Sequence, residues 1–359
     1  MLKELLNARQ LMPIWDHAHV RWEDRRAEIV RLLCEEEYGF LPPQPESVSY
    51  EVVEERQTFC AGKVTFKKVL ITATLGDTRF SFPIYSTVPQ AAGKHPFFIC
   101  PNFRGDIPDR YIPSEEIADH GFAVLSFCYK DVTSDDNDWN NGLAGKLYDA
   151  HDRRKTDCGK IAMWAWAASR VMDYAYTQSN LDLTNATVIG HSRLGKTALL
   201  AGVTDERFTC VISNNSGCSG AAVSRMKKGE TIENICHTFP YWFCENYEKY
   251  KNNESNLPFD QHFLIGAIAP RKVYVSSAEK DTWADPESEY LSCVAASEVY
   301  EKLGITGFVH PPRLPQAGDA FHEGNIGYHL RSGGHYLSRE DWLQFIQFIQ
   351  RTSSSETQV

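Results

Sequence analysis

Ser192 stands in the segment whose residue types most clearly indicate chemistry. The β-branched run 187–189 leads into Gly190, and Ser192 precedes a helix-forming stretch. A strand that turns sharply into a helix exposes the serine hydroxyl, and the helix N-terminus can stabilise the oxyanion formed when that hydroxyl attacks a carbonyl carbon. The common form of this turn has glycine two residues after the serine, whereas here Leu194 takes that place and Gly195 follows. The pattern indicates a nucleophilic serine, with an ordinary strand–helix turn as the alternative.

A carboxylate that could serve as the acid of a triad comes later in the chain. In hydrolases with such a turn, the nucleophile, acid and base follow in that order, each after a later strand. The predicted strand 272–277 runs into a loop that contains Asp281, our choice for the acid. Glu279 is too close to the strand end, and Asp285 precedes a proline as a cap does at a helix start. The alternative for Asp281 is a simple turn residue.

The base should follow the last predicted strand, 306–310, and three histidines do: His322, His329 and His335. Two glycines directly precede His335 and give the backbone freedom to bring an imidazole close to another loop. We therefore predict that His335 is the base, and that His329 is structural or contacts substrate. The base would take the serine proton, and the acid would fix its tautomer. His191, beside the nucleophile, should pack under the turn.

The elements that must position these groups alternate between strand and helix from about residue 95. Such alternation is typical of a mostly parallel sheet with helices on both faces. We predict an α/β-hydrolase fold, a three-layer sandwich with enlarged active-site loops. The predicted strands are 95–101, 122–127, 186–190, 208–213, 272–277 and 306–310, and the predicted helices are 157–178, 193–203, 287–302 and 338–350.

No linker separates two cores, so we predict a single domain over 1–359. Its opening part contains a helix over 21–38 and antiparallel strands over 47–87. The predicted parts are an N-terminal helix and antiparallel strands in 1–90, a catalytic core in 91–350 and a disordered tail in 352–359.

Two inserts and one loop lie at the catalytic edge of the predicted sheet. The polar segment 128–156 is a binding loop or a disordered excursion, and 217–262 is a second insert with aromatic and charged residues. Loop 101–106 follows an early strand, at the usual place of the second oxyanion donor.

Composition excludes several classes of protein. With 42% hydrophobic residues and a net charge of −10, the chain is neither mainly disordered nor suited to bind nucleic acid. It has no apolar stretch near the ~20 residues that span a bilayer, and no metal-ligand spacing among its ten cysteines and twelve histidines. We expect buried, reduced cysteines and no cofactor. Without the apolar region of a signal peptide, the expected location is the cytoplasm, or outside the cell if a leader has been removed.

The nucleophile segment 190–196 reads Gly-His-Ser-Arg-Leu-Gly-Lys and resembles the G-x-S-R-x-G-K signature of glucuronoyl esterases, particularly bacterial ones. The resemblance covers nearly the whole chain. Other matching segments are 22–39, 213–221, 257–262, 278–286 and 333–335. The resemblance implies cleavage of the ester between 4-O-methyl-glucuronate on xylan and a lignin alcohol, without a cofactor.

Four further site residues are implied by this resemblance. Arg193 would donate to the oxyanion, Lys196 and Glu230 would hold sugar hydroxyls, and Trp283 would pack on the uronate side of the pocket. Without the resemblance, a solvated helix lysine, a loop charge and a core tryptophan would be the ordinary interpretations.

One departure from the family pattern concerns the acid. Many bacterial relatives carry glutamate where Asn215 stands, and an amide cannot be the anion, so the role falls on Asp281. The predicted function is a serine carboxylesterase for esters of (4-O-methyl-)glucuronic acid, acting through an acyl-enzyme on a small-molecule or polysaccharide substrate. The alternatives are an acetylxylan esterase or other carbohydrate esterase, and an inactive hydrolase fold that binds glycans. Arg193 and Lys196 favour the uronate, because a desolvated carboxyl group needs polar partners. The oligomeric state is left open.

Overall fold

A ten-stranded sheet runs through the described residues, 2–16, 21–149 and 152–356, of this computed structural model. In chain order the strands are β1 (Ser47–Phe59), β2 (Val64–Leu75), β3 (Thr78–Pro89), β4 (His95–Asn102), β5 (Ala123–Cys128), β6 (Leu181–His191), β7 (Cys210–Asn214), β8 (Lys272–Ala278), β9 (Ala320–Phe321) and β10 (Ile326–Arg331). Their spatial order is β1-β2-β3-β5-β4-β6-β7-β8-β10-β9. In this spatial order, neighbouring strands from β5 through β4, β6, β7 and β8 to β10 are parallel. The pairs β1–β2, β2–β3, β3–β5 and β10–β9 are antiparallel. The sheet is therefore mostly parallel at its centre, as predicted.

Helices connect these strands. They are α1 (Leu2–Arg9), α2 (Trp22–Leu33), α3 (Ser114–Asp119), α4 (Tyr129–Val132), α5 (Ala144–Leu147), α6 (Lys160–Ala175), α7 (Arg193–Thr204), α8 (Ile232–Thr238), α9 (Gln261–Gly266), α10 (Pro286–Lys302) and α11 (Arg339–Glu356). A π-helical turn, Cys34–Tyr38, extends α2, and short 3₁₀ turns occur at Cys60–Gly62, Glu245–Tyr250 and Glu254–Asn256. None of the described helices is long and apolar enough to cross a membrane.

The helices form one layer on each face of the sheet. Successive strand side chains point to opposite faces, so Phe97 and Ile99 of β4 enter one apolar cluster and Phe98 enters the other. Residues of α6, α7, α9 and α10 fill the first cluster, and residues of α3 and α11 fill the second, including Trp342 and Phe345. Both faces of the central strands are thereby buried, which gives the predicted three-layer α/β-hydrolase fold.

Helix α2 packs against the C-terminal half of the chain through polar contacts to backbone carbonyls. The indole N–H of Trp22 donates to the carbonyl of Ala269 at 3.2 Å, and Nε of Arg26 donates to that of Ala267 at 2.7 Å. These carbonyls lie just after the end of α9, where the helix no longer provides backbone N–H groups to donate to them. The contacts tie the entry segment to the layer that contains α9 and α10.

The prediction of a last strand at 306–310 is wrong. Only Phe308 makes an isolated bridge there, to Ile326, and the last parallel strand is β10 beside β8. Prolines follow at 311 and 312, and a residue without an N–H cannot extend a ladder. His329 therefore lies within the final strand, and His322 precedes it.

Two other segments are more ordered than one of their predicted alternatives, a disordered tail at 352–359 and a disordered excursion at 128–156. Helix α11 continues to Glu356, past the start of the disordered tail predicted at 352, and 357–359 lie outside the described residues. The polar insert 128–156 contains α4 and α5 and a hydrogen-bonded loop between them, although residues 150 and 151 lie outside the described part. All ten cysteines are free thiols, and nine of them are buried.

Candidate active site

The turn between β6 and α7 holds Ser192 in a strained backbone conformation. Its φ is 59° and its ψ is −127°, a region that side chains other than glycine rarely occupy. The Ser192 N–H donates to the carbonyl of Asn214 at 2.9 Å, and Gly195 N–H donates to the Ser192 carbonyl at 2.8 Å. A Cβ at Gly190 would lie 1.8 Å from the carbonyl oxygen of Leu194, so only glycine fits there. The turn leaves the Ser192 side chain half-buried at the mouth of a pocket.

The acid and the base meet at the edge of the sheet where the parallel strands end. Asp281 follows β8 and His335 follows β10, and Nδ1 of His335 lies 2.6 Å from Oδ2 of Asp281. Burial would raise the pKa of Asp281, but the hydrogen bond and charge of His335 and the backbone N–H of Ala284 outweigh it, and the pKa is lowered. Asp281 is 6% exposed and stays ionised, whereas the His335 side chain is 43% exposed. The pair is thus a carboxylate–imidazole couple open to the pocket on the histidine side.

Asn215 supports this carboxylate from the next strand end. Its Nδ2 donates to Oδ2 of Asp281 at 3.1 Å, while its own Oδ1 is buried and has no hydrogen-bond partner within the described part of the chain. Glu279, the alternative acid, is exposed at the end of β8, and its backbone N–H donates to the carbonyl of Arg331 at 2.9 Å. The hydrogen-bonded acid of the pair is therefore Asp281, and Asn215 steadies it.

His191 lies beneath the turn as a neutral ring. Its Nδ1 lies 2.6 Å from Oδ1 of Asn214, and its ring centroid is 4.6 Å from that of His335. Burial, followed by the charge of His335, lowers the pKa of His191 to about 3. The ring packs under the catalytic histidine without adding charge to it.

The other two candidate histidines lie away from the pocket. Nε2 of His329 is 2.8 Å from Oδ1 of Asp341, and its Nδ1 is 3.0 Å from the hydroxyl of Tyr274. The same hydroxyl lies 2.9 Å from Nε2 of His322. Both rings are buried in a network between β8, β10 and α11, which is a structural role.

One pocket of about 270 Å³ brings together all seven residues predicted for the site. Its lining consists of Ser192, Arg193, Lys196, Asn215, Ser216, Gly217, Glu230, Phe239, Trp242, Asp281, Trp283, Ala284 and His335. Nucleophile, base, acid and the four residues from the resemblance therefore face a common space.

Lys196 and Glu230 both line the pocket. Lys196 is 3% exposed, and its ammonium donates to the carbonyl of Ser216. Burial lowers the pKa of Lys196, and the charge of Glu230 acts in the opposite direction. Trp283 is 56% exposed at the rim, and its backbone carbonyl accepts a hydrogen bond of 3.0 Å from the backbone N–H of Glu230. An exposed indole at a pocket rim is available to a ligand, in contrast to the core packing that its residue type alone suggested.

Arg193 has partners that the sequence did not reveal. Its guanidinium donates to the carboxylate of Asp135, from the polar insert, and lies over the rings of Trp242 and Phe239, from the second insert. The centre of the guanidinium is 4.6 Å from the Trp242 ring. The Asp135 side chain is 6% exposed and that of Arg193 is 24% exposed, and no pattern in the sequence distinguishes Asp135 from the other acids of its loop.

This arrangement can perform acyl transfer. A serine on a strained turn, an imidazole oriented by a carboxylate and a cluster of donors around one pocket are the parts of nucleophilic ester cleavage. Among the described residues no group of three or more His, Cys, Asp or Glu side chains is placed to hold a metal ion.

Comparisons with known proteins show which family this chain resembles in sequence and fold. The sequence model of the family described as "Glucuronyl esterase, fungi" matches residues 71–304. A prokaryotic protein named carbohydrate esterase MZ0003 is 42% identical over 68% of this chain and 56% of its own length. A 4-O-methyl-glucuronoyl methylesterase of Podospora anserina is 30% identical over 79% of this chain and 56% of its own length. The chain thus spans a little over half the length of these two relatives. The solved glucuronoyl esterase of Solibacter usitatus superposes with a TM-score of 0.84 at 32% identity, covering 91% of both chains.

Proposed function

We propose that this chain, which belongs to the glucuronyl esterase family, is a serine carboxylesterase for esters of glucuronic and 4-O-methyl-glucuronic acid. Esters of this class join lignin to xylan. The observation that carries the proposal is the 2.6 Å contact between His335 and Asp281 in the pocket that Ser192 faces. The curated relative from Podospora anserina is named for a methyl ester of the 4-O-methyl sugar.

The first half of the reaction transfers the uronoyl group to the enzyme. Nε2 of His335 accepts the hydroxyl proton as Oγ of Ser192 attacks the ester carbonyl carbon. The new imidazolium is stabilised by the ionised Asp281, and the same proton then passes to the leaving alkoxide, which departs as an alcohol. The carbonyl carbon remains bonded to Oγ as an acyl-enzyme.

The second half returns the serine. A water molecule gives a proton to His335 and attacks the acyl carbon, and the tetrahedral adduct collapses as His335 returns that proton to Oγ, which releases uronic acid and free Ser192. In both adducts the former carbonyl oxygen carries negative charge. The backbone N–H groups at the start of α7 and the guanidinium of Arg193 are the donors available to it.

The pocket suits a sugar. Lys196 can donate to a ring hydroxyl, and the carboxylate of Glu230 can accept from one, so that neighbouring hydroxyls have opposite partners. The exposed indole of Trp283 offers a flat surface to the C–H face of the ring. A simple acetyl group would fill little of a 270 Å³ pocket and use none of these groups.

The test is a pair of esters that share one alcohol. Purified protein is assayed with benzyl glucuronate and with benzyl acetate, and Ser192→Ala is the control for enzymatic turnover. We expect a much higher kcat/KM for the glucuronate, because only that ester has a sugar to contact Lys196 and Glu230.

Other outcomes point to the alternatives. Equal or higher kcat/KM on benzyl acetate, together with deacetylation of acetylated xylan, would show an acetyl esterase. A protein that binds xylan oligosaccharides and cleaves no ester would be a glycan-binding hydrolase fold.

A further inference from the structure

Asp135 lies against the guanidinium of Arg193 with both of its carboxylate oxygens in use. Arg193 donates to Oδ2, the hydroxyl of Tyr129 donates to Oδ2 at 2.8 Å, and the indole N–H of Trp242 donates to Oδ1 at 2.8 Å. The Asp135 side chain is 6% exposed, compared with 24% for that of Arg193. Among the described residues three donors contact this carboxylate, and together they fix its orientation.

The loop that carries Asp135 is built around a buried lysine. Lys160, at the start of α6, is fully buried, and its ammonium donates to Oγ of Ser134 at 2.9 Å and to the carbonyl of Asp138 at 2.8 Å. The hydroxyl of Tyr241 donates to the carbonyl of Asp135 itself at 2.9 Å. The backbone on both sides of Asp135 is thereby fixed to the protein core.

Aromatic rings hold the guanidinium of Arg193 from the other side. Its centre lies 4.6 Å from the Trp242 ring and 5.2 Å from the Phe239 ring. Trp242 therefore contacts both members of the ion pair, one through its N–H and the other through its ring face. Nε of Arg193 is buried without a hydrogen-bond partner among the described residues, and the rest of the side chain, 24% exposed, lines the pocket beside Ser192.

We propose that Asp135 is a positioning residue for ester cleavage, which holds Arg193 so that its free N–H groups face the oxygen on which negative charge develops. This inference rests on the proposed esterase function. Donors that are already fixed need no reorganisation when the charge appears, and their benefit is greater in the transition state than in the ground state. The loss of Asp135 should accordingly lower kcat more than it raises KM.

Asp135→Asn is the central variant. It keeps the size of the side chain but offers one acceptor oxygen and an NH₂ group to three donors, so one donor must move away. Removing a single oxyanion donor typically lowers kcat by ~10²–10³, and we expect a fall of roughly 10- to 100-fold because Arg193 remains but is no longer fixed. Tyr129→Phe removes one donor to the carboxylate and should lower kcat a few-fold. Asp131→Asn, an exposed carboxylate of the same insert, is the matched control and should leave kcat unchanged.

A double-mutant cycle separates positioning from a merely structural role. In an Arg193→Ala background, Asp135→Asn should lower kcat by less than about threefold, because the group that it positions is gone. All variants are first matched to wild type by thermal unfolding and circular dichroism. Unchanged kcat in Asp135→Asn, or equal losses of kcat with and without Arg193, would overturn the inference.

The same series distinguishes failure of the inference from failure of the proposed function. If wild type cleaves para-nitrophenyl acetate but no uronate ester, the proposed substrate is wrong. The cycle is then measured on para-nitrophenyl acetate, because every ester forms an oxyanion at the same place. Inactivity of wild type on both esters overturns the function and the inference together.

Discussion

Replacing Asp281 by asparagine should remove a charge from the site with little change in shape. Oδ2 of Asp281 accepts from His335 at 2.6 Å and from Asn215 at 3.1 Å. In Asp281→Asn the new amide oxygen can still accept from His335. The same oxygen can still accept from Asn215, and the NH₂ group takes the place of Oδ1, which in the wild type accepts only a long hydrogen bond of 3.4 Å from the backbone N–H of Ala284 among the described residues. The variant should therefore fold normally, and its loss of kcat should measure the contribution of the negative charge.

The magnitude follows from Coulomb's law. The imidazolium that forms during catalysis and the carboxylate have charge centres ~4 Å apart, which is worth about 4 kcal/mol at an effective dielectric constant of 20. At about 1.4 kcal/mol per factor of ten, this is a fall in kcat of roughly 10³. Screening reduces the value, since His335 is 43% exposed. A wrong histidine tautomer raises the loss toward ~10⁴.

The assay is steady-state hydrolysis of benzyl glucuronate. Glu279→Gln removes an exposed carboxylate two residues earlier and is the matched control, with no expected change in kcat. Asn215→Ala removes only the supporting amide and should lower kcat less than tenfold. If Asp281→Asn kept kcat within tenfold of wild type, or if Asn215→Ala were the more damaging change, the charge argument would be refuted.

Three further predictions concern the turn and its surroundings. Ser192→Ala should fold and lose roughly 10⁶ in kcat on the same ester, and residual turnover near the wild-type level would exclude it as nucleophile. Gly190→Ala should not give soluble, native protein, because its Cβ would overlap the carbonyl of Leu194, whereas Gly334→Ala, with open space around its Cβ, should behave as wild type in expression and melting temperature. The pKa of His191 is lowered to about 3 from an ordinary 6.5, so between these pH values His191 binds a proton in the unfolded chain but stays neutral in the folded protein. Unfolding free energy should then fall by up to ~1.4 kcal/mol per unit as pH drops below 6.5, and by less in His191→Gln, as measured by urea titration.

The triad could be predicted because it depends on chain order and local pattern. The strand–serine–helix signal at Ser192 is local, and Asp281 and His335 follow from counting later strands. His335 lies after both the predicted and the observed last strand, so the misplaced strand does not change its position in the chain order, and its role as the base stays a prediction. The sequence pattern did not predict strand β10, which contains His329 and Arg331. Their polar side chains are buried only because Asp341 on α11 pairs with both, a contact that no local pattern shows.

The contribution of the polar insert could not be predicted for a related reason. Its acids look alike in the sequence, and most of them are solvent-exposed or bonded within their own loop. In the folded protein Asp135 contacts Arg193, 58 residues further along the chain, as well as Tyr129 and Trp242. Which member of an acidic run reaches a distant cation is decided by how the loop folds around Lys160.

The contacts of helix α2 with the segment after α9 cannot form until most of the chain has been translated. Trp22 and its acceptor Ala269 are 247 residues apart, so α2 leaves the ribosome long before its partner exists. At ~5–20 residues per second the interval is roughly 12–50 s. Throughout it, the indole N–H of Trp22 and the guanidinium of Arg26 lack their native carbonyl acceptors. A ribosome that stalls before residue 267 therefore presents α2 without these native contacts, whatever the state of the residues of the candidate site.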